Sequence, residues 1–368
     1  MPDLGVRLQL LVGSTVPFPA PYEVVDAMMD LEVRNRDRER DAFQLTFAVG
    51  KTSLTDYRLL EQGYFDPPAR VTIAVVFSGA PEVLINGVVT DVQLVPSNRP
   101  GASTLLVTGD DVSVLMSLED RNETFPNQSD ADIVRKIVAD HELQPDVTDT
   151  SDTPSEDERV PTQQGSDLAF VQELARKHGF VFHVEPTPVP GVTTAYWGPP
   201  RRSGPAQPPL TMNMGPDSTV DEPIRFGFDA LGPVAPAVSI VEPLTRQTIP
   251  IPLPSELLPA LTSRPAGALR TVVARDAANL DPIQAALRAL SASSDAADAA
   301  TASGQLDAMR YGRALRSRRL VGVRGVGTSH DGDYYVREVT HRIRPGAYTQ
   351  SFTLTREGLG ARGQRVTL

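Results

Sequence analysis

The sequence predicts a β-dominated protein of mixed α+β class. Alternating apolar and polar runs joined by short turns fill both ends of the chain, the period expected of strands with one buried face. Helical patterns with recognisable caps lie between them. Proline is in excess, 33 against 27 glycines. Because proline cannot donate to a ladder or sit inside a helix, it must gather in linkers, turns and strand edges. At 368 residues the chain exceeds the usual single-core size, so two or more packed units are expected.

From Val6 to about Leu118 the pattern is strands. AFQLTFAVG sets Phe43, Leu45 and Phe47 against Gln44, Thr46 and Ala48. RVTIAVVF (70 to 77), EVLINGVVTDVQLV (82 to 95) and STLLVTGDDVSVLM (103 to 116) follow, separated by SGAP and PSNRPGA turns. Close spacing and short turns suggest a barrel or a sandwich. SDADIVRKIVADHEL (129 to 143) then opens with Ser129 as N-cap and Asp132 three residues on, and Ile133, Val134, Ile137 and Val138 form an apolar stripe. QPDVTDTSDTPSEDERVPT (144 to 162) is acidic and nearly free of large apolar residues, which predicts a solvated excursion.

QQGSDLAFVQELARKHGFVFHVEP (163 to 186) reads as a helix leading into a strand. Ser166 starts the helix, Leu168, Phe170 and Leu174 bury it, and Gly179 stops it. Beyond it Phe180, Phe182 and Val184 take one strand face and Val181, His183 and Glu185 the other. Residues 186 to 209 are too rich in proline for a continuous ladder, although VTTAYW offers one short strand around Trp197. Strands return in STVDEPIRFGFDAL (218 to 231) and APAVSIVEPL (235 to 244), and 249 to 267 is another proline-punctuated loop. Residues 280 to 317 start at Asp281 with Pro282 behind it and are rich in alanine, which predicts one or two helices. LVGVRGVGTS, GDYYVREVTHRIR and YTQSFTLTRE, within 318 to 357, read as an antiparallel meander joined by HDGD and PGA turns. No fixed-period repeat of solenoid type is visible.

Charge and composition exclude several functions. A net charge of −11 disfavours nucleic acid, whose phosphates need a basic field. The chain has no cysteine, so disulfides, thiolate metal sites and cysteine nucleophiles are absent. MPDLGVRLQLLVGSTVPFPAPYEVV lacks the pattern of a secretory signal, and no apolar run is long enough to span a bilayer. Cytoplasmic synthesis, a soluble product and no membrane insertion by this chain are the expectation.

Candidate chemistry is sparse. His178 and His183 fall on either side of a helix end, not on one helical face at the zinc spacing, and so read as ordinary solvent-facing histidines. HDGD (330 to 333) lacks the rest of a calcium loop and reads as a tight hairpin turn. ADHE (139 to 142) sits at a helix end where charges are common. There is no G-x-S-x-G elbow, P-loop or dinucleotide fingerprint, and GVRGVG (322 to 327) has no helix after it. No catalytic residue, metal site or cofactor is predicted.

The order of elements carries more. GVVTDVQL, then DDVSVLMSLEDRNETFPNQSDADIVRKIVADHEL, then QQGSDLAFVQELARKHGFVFHVE, and finally LVGVRGVGTSHDGDYYVREVTHRIRPGAYTQSFTLTREG together resemble the phage late-control protein D family. That family holds the baseplate hubs of contractile tails and the hub portion of valine-glycine repeat protein G spikes. The resemblance is good over 84 to 185 and 318 to 358 and weak over 186 to 310. It implies two tube-like β-barrel domains with helical or mixed domains between: a first barrel at 1 to 118, an insertion at 119 to 217, a second barrel from 218 to 248 plus 318 to 358, a proline-rich and alanine-rich helical insertion at 249 to 317, and a tail at 359 to 368. It further implies a homotrimer that adapts a hexameric inner tube to a trimeric spike, with spike, inner tube and other baseplate components as partners and no enzymatic activity. The chain stops soon after its last strand, at ARGQRVTL, so the spike tip is expected on a separate polypeptide, and a fused lysozyme is not expected. In this setting Ser166, Leu168, Phe170, Leu174, Gly179, Phe180 and Phe182 form a structural helix–strand unit. Two other classes compete: a hydrolase with a cleft between the proline-rich loops, and a carbohydrate- or receptor-binding β protein like a tail fibre.

Overall fold

The computed structural model describes residues 5–50, 57–99, 101–150, 160–220, 222–241, 248–251, 260–273 and 298–362. In the first block β1 (Arg7–Gly13), β2 (Phe18–Pro19), α1 (Tyr22–Asp26), β3 (Met28–Arg36), β4 (Ala42–Val49), α2 (Arg58–Glu61), β5 (Arg70–Phe77), β6 (Ala80–Val95) and β7 (Ser103–Asp111) follow one another. All their pairings are antiparallel. The alternation read from the sequence sets the faces: Phe43, Leu45 and Phe47 enter the core with Leu31, Val33, Val71, Ile73 and Leu105. Each such side chain contributes roughly 1.5–3 kcal/mol when taken out of water. The sheet curls around this core because β6 changes partner near Gly87, pairing with β5 through its first half and with β7 through its second. Phe43 fills the corner, where a Cβ at Gly109 would lie 2.2 Å from the Val88 carbonyl oxygen and 2.5 Å from the Phe43 ring.

After a 3-10 turn at Val112–Ser117 the second unit runs through β8 (Asp120–Thr124), α3 (Asp130–Asp140), β9 (Gln144–Val147), β10 (Thr162–Ser166), α4 (Asp167–His178), β11 (Val181–Pro186) and β12 (Thr193–Gly198). Its own core holds Ile133, Val134, Ile137, Phe170, Val171 and the fully buried Trp197. The stretch expected as a solvated excursion is ordered at both ends. Gln144–Val147 pairs in parallel with β12, and Thr162–Ser166 pairs with β8; residues 151–159 lie outside the described residues. Most side chains of β9 stay exposed, so it is held by its backbone ladder, which leaves no apolar alternation to read.

Next come β13 (Gln207–Thr211), β14 (Arg225–Phe228), β15 (Val234–Val241), β16 (Thr248–Ile251), β17 (Thr262–Pro265) and β18 (Arg270–Val273). The chain returns through β19 (Ala300–Asp307), α5 (Ala308–Tyr311), β20 (Leu320–Arg324), β21 (Gly332–Arg344), β22 (Ala347–Arg356) and β23 (Gly358–Ala361). The helices expected over 280 to 317 need correction at Ala300–Asp307, which is a strand on β22, while the short helix α5 follows at Ala308–Tyr311. Ala300, Ala302 and Leu306 point inward and Thr301, Ser303, Gln305 and Asp307 outward, a period of two masked by alanine. The earlier part, including Asp281 and Pro282, lies outside the described residues. The meander of β20, β21 and β22 is antiparallel, with Pro345 and Gly346 (φ 81°) as a two-residue turn. HDGD is not a tight turn: β20 and β21 are joined by residues 325 to 331, a loop folded by the Val326 amide donating to Asp331 Oδ1 at 2.9 Å.

One 13-stranded sheet unites the two ends of the chain, in the order β14, β19, β22, β21, β3, β4, β7, β6, β5, β1, β2, with β20 on β21 and β13 on β20. Two closed barrels are not seen: among the described strands the path is open at β14 and at β2. The 13-residue β21 is the cause, since Glu338–Ile343 pairs with Leu31–Arg36 of β3 and joins the blocks edge to edge. Behind the second half lies a third core of Leu306, Tyr311, Val321, Tyr334, Val339 and Phe352. Among the described residues no helix is long and apolar enough to cross a membrane.

Candidate functional site

The helix–strand unit singled out in the sequence sits inside the second core. The Ser166 hydroxyl accepts from the Ala169 amide at 3.4 Å, and Gly179 ends α4 in the left-handed region at φ 70°. Leu168, Phe170 and Leu174 are buried, Phe180 meets the Trp197 ring edge-on at 4.8 Å, and Phe182 is half-buried. His178 and His183 depart from the sequence reading, which had them facing solvent: each is 7% exposed. His178 Nε2 lies 2.7 Å from Asp130 Oδ2 and its ring packs on Phe180 and Trp197. His183 Nε2 lies 3.2 Å from Glu185 Oε1. Their polar partners come from α3 and from the same strand, which lets both rings be buried without a metal ion. Among the described residues no three His, Asp or Glu side chains are grouped to hold a metal.

No motif in the sequence marks the polar junction where the three parts of the chain meet. Arg318 forks onto Asp41, Nη2 to Oδ1 at 2.8 Å and Nη1 to Oδ2 at 3.2 Å. Asn35 Nδ2 and the Arg36 amide also donate to Asp41, each at 2.9 Å. Behind it the Asp41 amide donates to Asp111 Oδ2 at 2.7 Å, and the Ser113 amide to Asp111 Oδ1 at 2.9 Å. Burial, then the neighbouring Asp41 charge, push the Asp111 carboxyl up to about 6. Burial would raise Glu185 as well, but the His183 hydrogen bond and the charges of Arg319 and Arg318 hold it down at about 2. Burial in turn lowers His183. A cavity of about 200 Å³ opens here, lined in part by Asp41, Glu82, Glu185, Arg316, Arg318 and Arg319. Its acids and arginines balance one another, as in a joint between segments.

A second feature is a surface. Strand partners share a face, so the register lays out rows of side chains across the sheet. One row runs Asp307, Thr349, Arg342, Glu32, Gln44, Thr108 and Asp91; the next runs Gln305, Ser351, Thr340, Arg34, Ala42 and Asp110. This face carries hydroxyls, amides and charges on strands from both blocks, while the alternate residues fill the cores. Its arginines are matched within the face. Arg342 and Arg344 donate to Asp30 at 3.2 and 2.7 Å, Arg36 to Glu338 at 3.3 Å, and Arg34 to Glu32 at 2.6 Å. Partial burial acts to raise Asp30, and the two arginine hydrogen bonds more than offset it, leaving the carboxyl below its usual range. Such exposed pairs contribute little to stability, about 0–1 kcal/mol each. Their effect is to neutralise the face locally and keep it hydrated, a wall without an adhesive patch. The signal was present in the sequence as polar residues at every second position of MMDLEVRNR and of REVTHRIR.

The two open ends of this sheet differ from its middle. In β2 Phe18 is 66% exposed, at the start of α1 Tyr22 is 82% exposed, and in β14 Phe228 is 49% exposed. Nothing in either feature combines a nucleophile, a base and an oxyanion donor.

Over nearly its whole length the chain has the fold of solved tail proteins. The tail protein from Neisseria meningitidis MC58 superposes with a TM-score of 0.62 at 12% identity, covering 97% of this chain and 98% of that one. The 43 kDa tail protein of prophage MuSo2 from Shewanella oneidensis gives 0.60 at 14% identity, covering 95% and 99%. A chain of the Francisella PdpA-VgrG complex gives 0.58 at 9% identity, covering 99% of this chain and 54% of that one. At these identities the likeness is one of fold. A family model described as the Alg8 N-terminal domain matches residues 21–192. That range is less than half of the chain and cuts across the first sheet block and the second core, so it assigns no family. No curated protein matches.

Proposed function

We propose that this chain is a structural baseplate hub protomer of a contractile phage tail or phage-like injection system, three copies of which adapt a hexameric inner tube to a trimeric spike. The observation that carries the reading is the polar, self-neutralised face that runs unbroken through both blocks of the sheet. Turned inward in a ring, it provides a hydrated wall for a passage, and the cores behind it provide stiffness. The full-length likeness in fold to tail proteins supports the same reading, and the likeness to a chain of a complex containing VgrG supports a spike partner.

In this reading residues 1–118 and 218–248 plus 318–358, the latter completed by the strand Ala300–Asp307 that links β14 to β22, act as the two tube-like blocks, so three chains supply six. The open ends at β14 and at β1 and β2 meet head to tail, the heterologous contact that closes a ring when the rotation fits. Obligate contacts of this kind bury roughly 2,000 Å² or more. Inner tube, spike and other baseplate components are the partners, and the role is mechanical, with no catalytic step.

Mass photometry tests the proposal. A trimer is expected for the purified chain or for its mixture with a trimeric spike protein. Monomer alone at micromolar concentration, with spike present, would overturn it.

A further inference from the structure

The two helices of the second unit share a pattern that the sequence shows only once their caps are aligned. Ser129 to Ser166, Asp130 to Asp167, Val134 to Val171, His141 to His178 and Val147 to Val184 are each 37 residues apart. The backbone repeats at the same offset. Ser129 and Ser166 each cap the amide three residues on. Glu142 (φ 59°) and Gly179 (φ 70°) both sit in the left-handed region just past the end of their helix. The Leu143 amide returns to the Val138 carbonyl at 3.2 Å and the Phe180 amide to the Ala175 carbonyl at 2.8 Å, the same C-terminal motif. Burial follows suit: residues 130, 131, 133, 134, 137 and 138 of α3 match 167, 168, 170, 171, 174 and 175 of α4. Then β9 and β11 leave at matching positions and flank β12 from opposite sides, one parallel and one antiparallel.

The contacts between the copies are reciprocal. Asp130, the first residue of α3, lies 2.7 Å from His178 Nε2 at the end of α4. Asp167, the first residue of α4, lies 2.7 Å from His141 Nε2 at the end of α3. Lys177 also faces Asp130, and Arg121 (3.2 Å) and Gln163 (2.7 Å) also face Asp167. Each pair sets a carboxylate at the positive end of one helix dipole, where its charge is favoured, against a histidine ring at the C-terminal end of the other helix. Each helix is therefore held at both ends by its neighbour.

We infer that residues 129–147 and 166–184 are two copies of one helix–strand unit, latched by reciprocal aspartate–histidine pairs so that α3 and α4 open only together. Separating either helix breaks both pairs. The domain is thus a pseudo-symmetric dimer within one chain, a clamp whose halves cannot loosen independently.

Hydrogen exchange on the full-length protein tests this in Asp130→Asn and Asp167→Asn, made separately. Each is expected to speed exchange by roughly tenfold or more in both α3 and α4, the loss of a charge-assisted hydrogen bond, while amides of β19 and β22 keep their protection. Faster exchange confined to the helix that carries the substitution, or in neither, would overturn the inference. Where an asparagine variant loosens the whole chain, His141→Ala and His178→Ala decide. Equal acceleration in α3 and α4 supports the latch, and unequal acceleration or none overturns it.

Discussion

Replacing Arg318 by methionine removes the cation from the junction while keeping most of its length. Arg318 and Asp41 have side chains 5% and 3% exposed and meet through two hydrogen bonds. The variant leaves Asp41 buried next to Asp111 with only Asn35 Nδ2 and the Arg36 amide to hold it. Breaking one side of a buried pair costs about 3–5 kcal/mol, most of it the penalty of the stranded charge. With a urea m-value of about 3 kcal/mol/M, the midpoint at pH 7 falls by about 1 M or more. The pH dependence supplies a second check. Asp111 already has its folded value raised to about 6, so its charge is tolerated less well in the folded state than in the unfolded one. Stability from this group is present below the unfolded carboxylate range and is lost as pH rises through 6. Without Arg318 that effect grows, so the deficit of Arg318→Met shrinks as pH is lowered from 7 to about 5. Adding Asp41→Asn recovers about 1–3 kcal/mol as a coupling energy. A midpoint shift under about 0.3 M, the scale of a surface ion pair, with no change in pH dependence, would refute the account of the junction.

Other perturbations have equally definite outcomes. Leu174→Ala removes a buried leucine of the second core and costs about 2–5 kcal/mol by denaturant unfolding; Leu168→Ala and Phe170→Ala fall in the same range and also cost assembly. Gly109→Ala puts a methyl against the Val88 carbonyl and the Phe43 ring and destabilises by about 1–3 kcal/mol, read by the same melt. Burial, then Arg316, push His341 down to about 3. Its neutral form therefore stabilises the fold above the unfolded histidine range, and that stability drains away as pH falls from 6.5 toward 3, at up to about 1.4 kcal/mol per pH unit. An NMR titration in which the His341 ring protonates near pH 6 in the folded protein would contradict this.

The parts of the fold legible in the sequence are those written within one element. Phe43, Leu45 and Phe47 announce their strand by alternation, and Ser129, Ser166 and Gly179 mark helix ends by chemistry that acts over a few residues. What was not legible depends on partners far along the chain. His178 reads as an exposed helix-end residue until α3 supplies Asp130. Asp41 and Arg318 are 277 residues apart, and neither sits in a pattern that names the other. The alternating charges of β3 and β21 were visible, but a period of two says which face a residue takes and not which strand lies beside it. For the same reason local patterning suggested barrels, while the pairing of β3 with β21 makes one open sheet.

That pairing also governs the order in which the molecule can be completed. β3 is synthesised near the start of the chain, yet its partner strand β21 follows about 300 residues later, as the contact of Arg36 with Glu338 shows. During synthesis the first block can curl around its core, but the outer edge of β3 stays bare, displaying amides and carbonyls to any other strand in reach. Only when the C-terminal meander leaves the ribosome can the gap be filled. The long delay makes β3 the point most vulnerable to wrong pairing with another nascent copy. The charges along its face then have an earlier use than in the finished protein, since Asp30, Glu32, Arg34 and Arg36 keep an unfinished edge in water until its own partner arrives.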